Sequence, residues 1–219
     1  LDLNGTPATT TYRYNAAGQV IAKTDANNYV TRYVYDGQGQ LVYQLAQDNS
    51  LTRFDYDNAG RIVATSRYSA DQSAELTEWI TEKNIDKDGD KYTKADVELT
   101  VSLLDGAAWS EDDSDKAWST GDALTSYQVY DAAGRQLMAI DAAGSVVENR
   151  YNARGLVTEQ IRYANTTTLS SEQQSSLIAG NTVTSTAINA LRPSVDASTD
   201  QTTATIYDAN GQARFSLQK

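Results

Sequence analysis

The feature that most constrains this chain is a tyrosine that returns on a fixed period. Tyr14, Tyr35 and Tyr56 stand 21 residues apart, Tyr130 and Tyr151 repeat that interval, and Tyr207 opens a sixth copy. Each is followed four residues later by a glycine: Gly18, Gly39, Gly60, Gly134, Gly155 and Gly211. The cores read YNAAGQV, YDGQGQL, YDNAGRI, YDAAGRQ, YNARGLV and YDANGQA. A period of this length signals a repeat architecture, in which each small unit buries its apolar face only against its neighbours. A motif written six times in 219 residues is architecture before it is a catalytic site.

The unit itself reads as a hairpin. Asp or Asn follows each tyrosine and Gly comes three residues later, so Asp36 and Gly39, Asp57 and Gly60, Asp131 and Gly134, and Asp208 and Gly211 mark turns, as do Gly18 and Gly155. An Asp side chain at the first turn position bonds its own backbone two residues on, and glycine at the fourth takes positive φ without a steric penalty. Alternating runs such as YVTRYVY (29–35) and QLVYQL (40–45) flank these turns and read as half-buried strands. A second turn signal closes each unit, in DANN (25–28), QDNS (47–50) and DAAG (141–144). Tyr12 and Tyr14 share one face of their strand, as do Tyr33 and Tyr35, because side chains alternate. Stacked units are expected to bring aromatic rungs side by side, which makes sheet packing the first role of the tyrosines and a track for a glycan or partner protein the second.

Tyr-Asp-x-x-Gly-Arg at this spacing resembles the YD repeat of the RHS family, which is found in RHS proteins, toxin-complex B and C subunits and teneurins. YDNAGRI (56–62) and YDAAGRQL (130–137) are close matches, and the other four units depart by Asn for Asp or by Gln or Leu for Arg. The resemblance covers residues 1–68, 125–163 and 203–219. It implies a mainly β fold, an array of antiparallel hairpins forming a curved ribbon or part of a shell. It also implies a role as a rigid scaffold or as the casing of a toxic segment. The family's self-cleaving core motif has no match in these residues.

Composition narrows the chemistry. Cysteine and histidine are absent, so no disulfide, thiolate nucleophile, Ser-His triad or Cys/His zinc site can be built. A net charge of −11 makes nucleic acid a poor partner, and no apolar run is long enough to span a membrane as a helix. The chain opens LDLNGTP without an initiating Met and reads as a segment of a larger secreted or cell-surface bacterial protein, its partners being neighbouring repeats of the same chain. Paired carboxylates are the only catalytic chemistry the composition allows without a cofactor. Each recurrent Asp has a turn role, so no enzyme activity is expected.

The charge is concentrated. Residues 69–126 hold fifteen acidic residues and five lysines, a net of −10, which leaves −1 for the remainder. Here the hairpin alternation stops, immediately after Arg67-Tyr68, and helical patterns begin in SAELTEWITEKN (73–84) and YTKADVELTVSLLDG (92–106). Between them lies an acidic loop with a glycine, the layout of an EF-hand. Counting from Asn84 places Asp86 third, Asp88 fifth and Gly89 sixth, but Ala95 holds the twelfth position and Asp96 comes one residue late. Asn84, Asp86, Asp88, Asp90 and Asp96 are thus candidate calcium ligands, the alternative being a solvated acidic turn offset by Lys83, Lys87, Lys91 and Lys94. Calcium is the only cofactor the sequence suggests. Trp109 and Trp118 flank a further acidic cluster and either dock the insertion onto the sheet or form a binding surface for a glycan or protein.

The second break follows Arg162-Tyr163, at the same point of the unit. SSEQQSSLIAG (170–180) and TSTAINALRPS (184–194) read as short helices, and no chemistry is evident in them. The expected organisation is repeats at 1–68, an acidic helical insertion at 69–126, repeats at 127–163, a helical and loop insertion at 164–202, and the start of a sixth repeat at 203–219. Three functions remain open: a structural scaffold segment, a carbohydrate- or protein-binding module, and part of a toxin-encapsulating shell.

Overall fold

The computed structural model describes residues 9–48, 50–68, 123–179 and 185–219. They form one open twelve-stranded antiparallel sheet in which strand order follows the chain. The strands are β1 (Thr11–Tyr14), β2 (Val20–Thr24), β3 (Val30–Tyr35), β4 (Leu41–Leu45), β5 (Leu51–Tyr56), β6 (Ile62–Tyr68), β7 (Leu124–Tyr130), β8 (Gln136–Ile140), β9 (Val146–Tyr151), β10 (Val157–Arg162), β11 (Gln201–Tyr207) and β12 (Ala213–Gln218). Two helices, α1 (Ser171–Ile178) and α2 (Ser185–Leu191), lie between β10 and β11. The mainly β hairpin array anticipated from the periodicity is therefore the fold. Strand β7 begins at Leu124, three residues before the boundary drawn at 127, and β11 begins at Gln201, two before 203.

One register rule generates the sheet. Within each hairpin the repeat tyrosine pairs with the second residue after the turn glycine: Tyr14 with Val20, Tyr35 with Leu41, Tyr130 with Gln136, Tyr151 with Val157 and Tyr207 with Ala213. Each of these hairpins carries a one-residue register shift at its turn end, the signature of a bulge closing a turn that ends in a left-handed glycine. Between hairpins the fourth residue after the glycine pairs with the third before the next tyrosine: Ala22 with Arg32, Tyr43 with Arg53, Met138 with Glu148 and Glu159 with Ala204.

Two compact units divide the chain, Leu1–Phe54 with Ser66–Ala123, and Asp55–Thr65 with Leu124–Lys219. In the first, Val34, Val42, Tyr43, Leu45 and Leu51 are buried. Tyr43 and Leu45 keep the period-two alternation of β4, and Val42, next to Tyr43, is the residue skipped at the register shift of this hairpin. In the second, Ala64, Tyr127, Val129, Met138, Ile140, Val146, Ile161 and Tyr163 form a core that Leu177 of α1 and Leu191 of α2 join from outside the sheet. Helix α1 starts where it does because Ser170 and Gln173 cap one another. The Ser170 hydroxyl accepts from the Gln173 N–H at 3.2 Å, and the Gln173 side chain accepts from the Ser170 N–H at 2.8 Å.

The excursion between β10 and β11 leaves and returns at one place. Arg162 and Gln201 are direct cross-strand partners. Asp200, buried at the return, accepts from the Ala164 N–H at 2.8 Å with one oxygen and from the Asp196 N–H at 2.9 Å with the other. The outgoing loop also passes the Asp141 turn, where the Thr167 N–H donates to the Gly144 carbonyl at 2.8 Å. Gly144 has φ +83°, and a Cβ there would stand 2.2 Å from the Thr167 carbonyl oxygen. Glycine is required at this turn both for its backbone conformation and for the close passage of the insertion.

Candidate functional site

The turns form a ladder, and each is built from its own Asp or Asn. The Asp36 carboxylate accepts from the N–H groups of Gln38 and Gln40, both at 2.9 Å, while the Gly39 N–H donates back to the Asp36 carbonyl at 3.0 Å. Asp57, Asp131 and Asp208 repeat the arrangement with Gly60, Gly134 and Gly211, and Asn152 repeats it with Gly155. Asp25 and Asp141 do the same in the second turns of their units. At the fourth position of the Asp25 turn, Asn28 adopts φ +64°, the left-handed conformation that Asn tolerates better than most residues.

Where arginine follows the glycine, a second bond locks the turn. Arg61 Nε donates to Asp57 at 2.7 Å and its Nη2 lies 2.6 Å from the same oxygen. Arg135 and Asp131 reproduce the pair at 2.7 and 2.6 Å. In the last repeat Gln212 follows the glycine, and Arg214, two positions on, reaches back to Asp208 instead at 2.9 Å. Burial opposes ionisation of Asp57 and Asp131. The bonds from the arginine side chains and from the turn N–H groups outweigh it and hold both carboxyls below the ordinary range. At Asp208 the turn N–H bonds, led by that of Gln212, lower the carboxyl in the same direction.

The same arginines join one unit to the next. The Arg61 guanidinium lies over the Tyr130 ring at 4.5 Å from its centroid, and Arg135 lies over Tyr151 at 4.6 Å, distances typical of cation–π contact. Arg61 also runs against Gly134, where an added Cβ would sit 3.1 Å from its Nη1. Gln19 holds the equivalent place against Gly39 and donates to its carbonyl at 3.0 Å. The repeat tyrosines complete the connection through their hydroxyls. Tyr35 donates to the Val20 carbonyl (3.0 Å), Tyr151 to that of Gln136 (2.7 Å) and Tyr207 to that of Val157 (2.8 Å). In every case the acceptor is the second residue after the preceding turn glycine. At Tyr130 and Tyr151 the ring is thus faced by an arginine of the preceding repeat. A ring–ring contact does occur between Tyr12 and Tyr14, at 6.4 Å along one strand.

A second constellation was not read from the sequence. Glu148 of β9 is only 3% exposed. It accepts from the Tyr163 hydroxyl at 2.6 Å, from Arg192 at 2.7 Å on each of its two oxygens, and from Arg150 at 3.1 Å. Arg150 extends the network to Glu159 at 2.6 Å. Burial raises the Glu148 carboxyl, but the bonds from Arg192, Tyr163 and Arg150 overcome it and bring it to about 2. Burial and the adjacent carboxylate push the Tyr163 phenol up to about 12. Arg192 stands at the end of α2, so this bidentate pair fastens the helical excursion to the sheet. The signal lay in parity. Glu148 is two residues from buried Val146, so it occupies the inward-facing phase of its strand, where a lone acid needs a partner.

Every carboxylate in the two constellations is occupied by backbone N–H groups, arginine or tyrosine. Among the described residues no group of three or more His, Cys, Asp or Glu side chains could hold a metal, and no helix is long and apolar enough to cross a membrane. Asn84, Asp86, Asp88, Asp90, Asp96, Trp109 and Trp118 lie outside the described residues, as do the helices read at 73–84 and 92–106.

Comparison with known proteins bears on the ladder. The RHS Repeat family model matches residues 14–48. No curated protein sequence matches the chain. The fold is similar to that of the crystal structure of TcdB2-TccC3-TEV, with a TM-score of 0.53 at 10% identity, over 99% of this chain and 8% of that one. A second similar structure is the Photorhabdus luminescens Tc holotoxin pore, with a TM-score of 0.43 at 12% identity, over 97% of this chain and 9% of that one. The chain thus spans less than a tenth of the length of either protein. The RHS Repeat match covers residues 14–48, and the same bulged hairpin and tyrosine bond recur in the repeats beyond it.

Proposed function

We propose that the chain is a wall segment, a non-catalytic stretch of repeat scaffold in a large secreted or cell-surface bacterial protein, of the kind that encloses a toxic cargo. One observation carries the reading: the charged and aromatic side chains of the ladder are spent on holding hairpin to hairpin. Asp57 takes two turn N–H groups and Arg61, and Arg61 takes Tyr130. Groups already saturated in this way are poor candidates for turnover and good ones for rigidity. The similarity of fold to TcdB2-TccC3-TEV supports the assignment to a toxin assembly.

A glycan array and a peptide panel, read by thermal shift and repeated with Tyr12→Ala and Tyr29→Ala, test the scaffold reading against a binding module. A wall segment gives no ligand-dependent rise in Tm. A rise of several degrees that disappears with those exposed tyrosines replaces the scaffold reading by carbohydrate or protein binding.

The calcium reading of residues 84–96 rests on the sequence of that loop alone. Titration watched by Trp79 fluorescence tests it, and a flat response into the millimolar range removes it.

A further inference from the structure

The hairpins at which the two insertions begin differ in the sign of their charge. Glu148 stands three residues before Tyr151 and Arg150 one before it, whereas the same places before Tyr56 hold Arg53 and Asp55, so both signs are exchanged. The surroundings are otherwise alike. Glu148 pairs with Met138 and Arg53 with Tyr43. Val146 and Leu51, two residues before them, are 0% and 1% exposed, and Tyr163 and Tyr68, after which the insertions start, are both buried. The second insertion supplies the partner of Glu148. Arg192 is the one base in residues 164–200, and it bonds both carboxylate oxygens. Residues 69–122 hold no arginine, and they hold fifteen acidic residues against five lysines. They fall in the same compact unit as Arg53. A second cation shares the face of Arg53. Cross-strand pairing sets Arg32 against Leu45 and Leu45 against Leu51, and likewise Val34 against Tyr43 and Tyr43 against Arg53. Arg32 and Arg53 are both half-buried.

We propose that the acidic segment 69–122 docks on the Arg32 and Arg53 face of β3–β5, and that one of its carboxylates meets Arg53 as the charge-reversed counterpart of Arg192 on Glu148. A guanidinium drawn out of water on an apolar face is stabilised by a carboxylate that can take two parallel N–H bonds. The acidic composition of the segment provides such groups and the composition of residues 164–200, with Arg192 as its base, suits the other hairpin. Opposite signs at the two seats also give each insertion its own place. Glu148 repels the acidic segment and Arg53 repels Arg192, so specificity comes from the mismatched pairings as much as from the matched ones. The proposal stands on this exchange of signs and not on the wall-segment reading, and it survives if that reading fails.

Arg53→Lys keeps the charge and supplies an amine that a carbodiimide couples to a carboxylate in direct contact. In the full chain, peptide mapping should find the amine at position 53 joined to an acidic residue between Asp71 and Asp122. That product should exceed several-fold the one from Thr52→Lys, whose side chain points to the opposite face of the same strand. A second pair of variants reads docking without the crosslink. Arg53→Glu should quicken tryptic cleavage at Lys83, Lys87, Lys91, Lys94 and Lys116 several-fold over wild type, and Thr52→Glu should not. Coupling from position 53 confined to Asp55 overturns the proposal, because the partner would then be the neighbour on the strand. So does coupling no greater than that from Thr52→Lys, and so do equal cleavage rates in the two glutamate variants.

Discussion

The Tyr207 hydroxyl donates to the Val157 carbonyl at 2.8 Å across a sequence separation of 50 residues. Tyr151 and Gln136 make the same bond at a separation of 15. The insertion between β10 and β11 therefore lengthens the connection without altering the join between hairpins. Tyr207→Phe keeps the ring and removes the bond. It should cost about 0.5–1.5 kcal/mol, read as a lower urea midpoint, with amide exchange accelerated in β11 and β12. An unchanged midpoint would mean that the hydroxyl does not contribute to holding the hairpins in register.

The acid at each turn carries two functions that substitution can separate. Asp57→Asn retains an oxygen for the Ala59 and Arg61 N–H groups and loses only the charge opposite Arg61. Asp57→Ala loses both and strands donors that the turn had satisfied. The alanine variant should lower stability by about 1–3 kcal/mol and the asparagine variant by clearly less, compared by thermal unfolding. Equal losses in the two would place the whole contribution in the ion pair.

Much of this ladder was legible in the sequence because the turn chemistry is local. Asp36, Gly39, Asp57 and Gly60 announce a turn within five residues, and the 21-residue period then places one hairpin after another, whereas the bulge at each turn was not read from them. What the sequence concealed depends on which residues meet across units. The alternation placed Tyr33 and Tyr35 on a common face and suggested tyrosine rungs, but it contained nothing to say that Arg61 would lie over Tyr130 across the long first insertion. Glu148 and Arg192 were hidden for the same reason. They are 44 residues apart, on a strand and after a helix, and only the closure at Asp200 brings them together.

Glu148 makes the docking of the second insertion sensitive to acid. Its folded carboxyl sits at about 2 against an ordinary 4.5, so the folded state favours the ionised form. The contribution is complete above about pH 5 and is lost as pH falls toward 2. The interval corresponds to roughly 3 kcal/mol. Between pH 5 and 2 the wild-type chain should lose stability steeply, whereas Glu148→Gln should be less stable at pH 7 and markedly flatter across that range. Parallel pH profiles for the two chains would assign the loss to other carboxylates.

Two glycines with the same φ should respond differently to alanine. Gly144 and Gly155 have φ +83° and +79°, so both substitutions strain the backbone, by about 1–2 kcal/mol. At Gly155 the nearest atom to a new Cβ is 3.8 Å away on the flexible Arg135 side chain, but at Gly144 it is the Thr167 backbone oxygen at 2.2 Å. Gly144→Ala should therefore cost substantially more and expose residues 164–200 to limited proteolysis, while Gly155→Ala should leave their protection intact. Matching proteolysis patterns would show that the loop at Thr167 can move aside.

The pairing of Arg162 with Gln201 gives the ribbon a doorway. Because departure and return are neighbours across a single pair of strands, the segment between them leaves the pairing of β10 with β11 in register. The excursion can vary in length there while the spacing of the hairpins is kept, provided that the anchors at Glu148 and Gly144 are met or replaced.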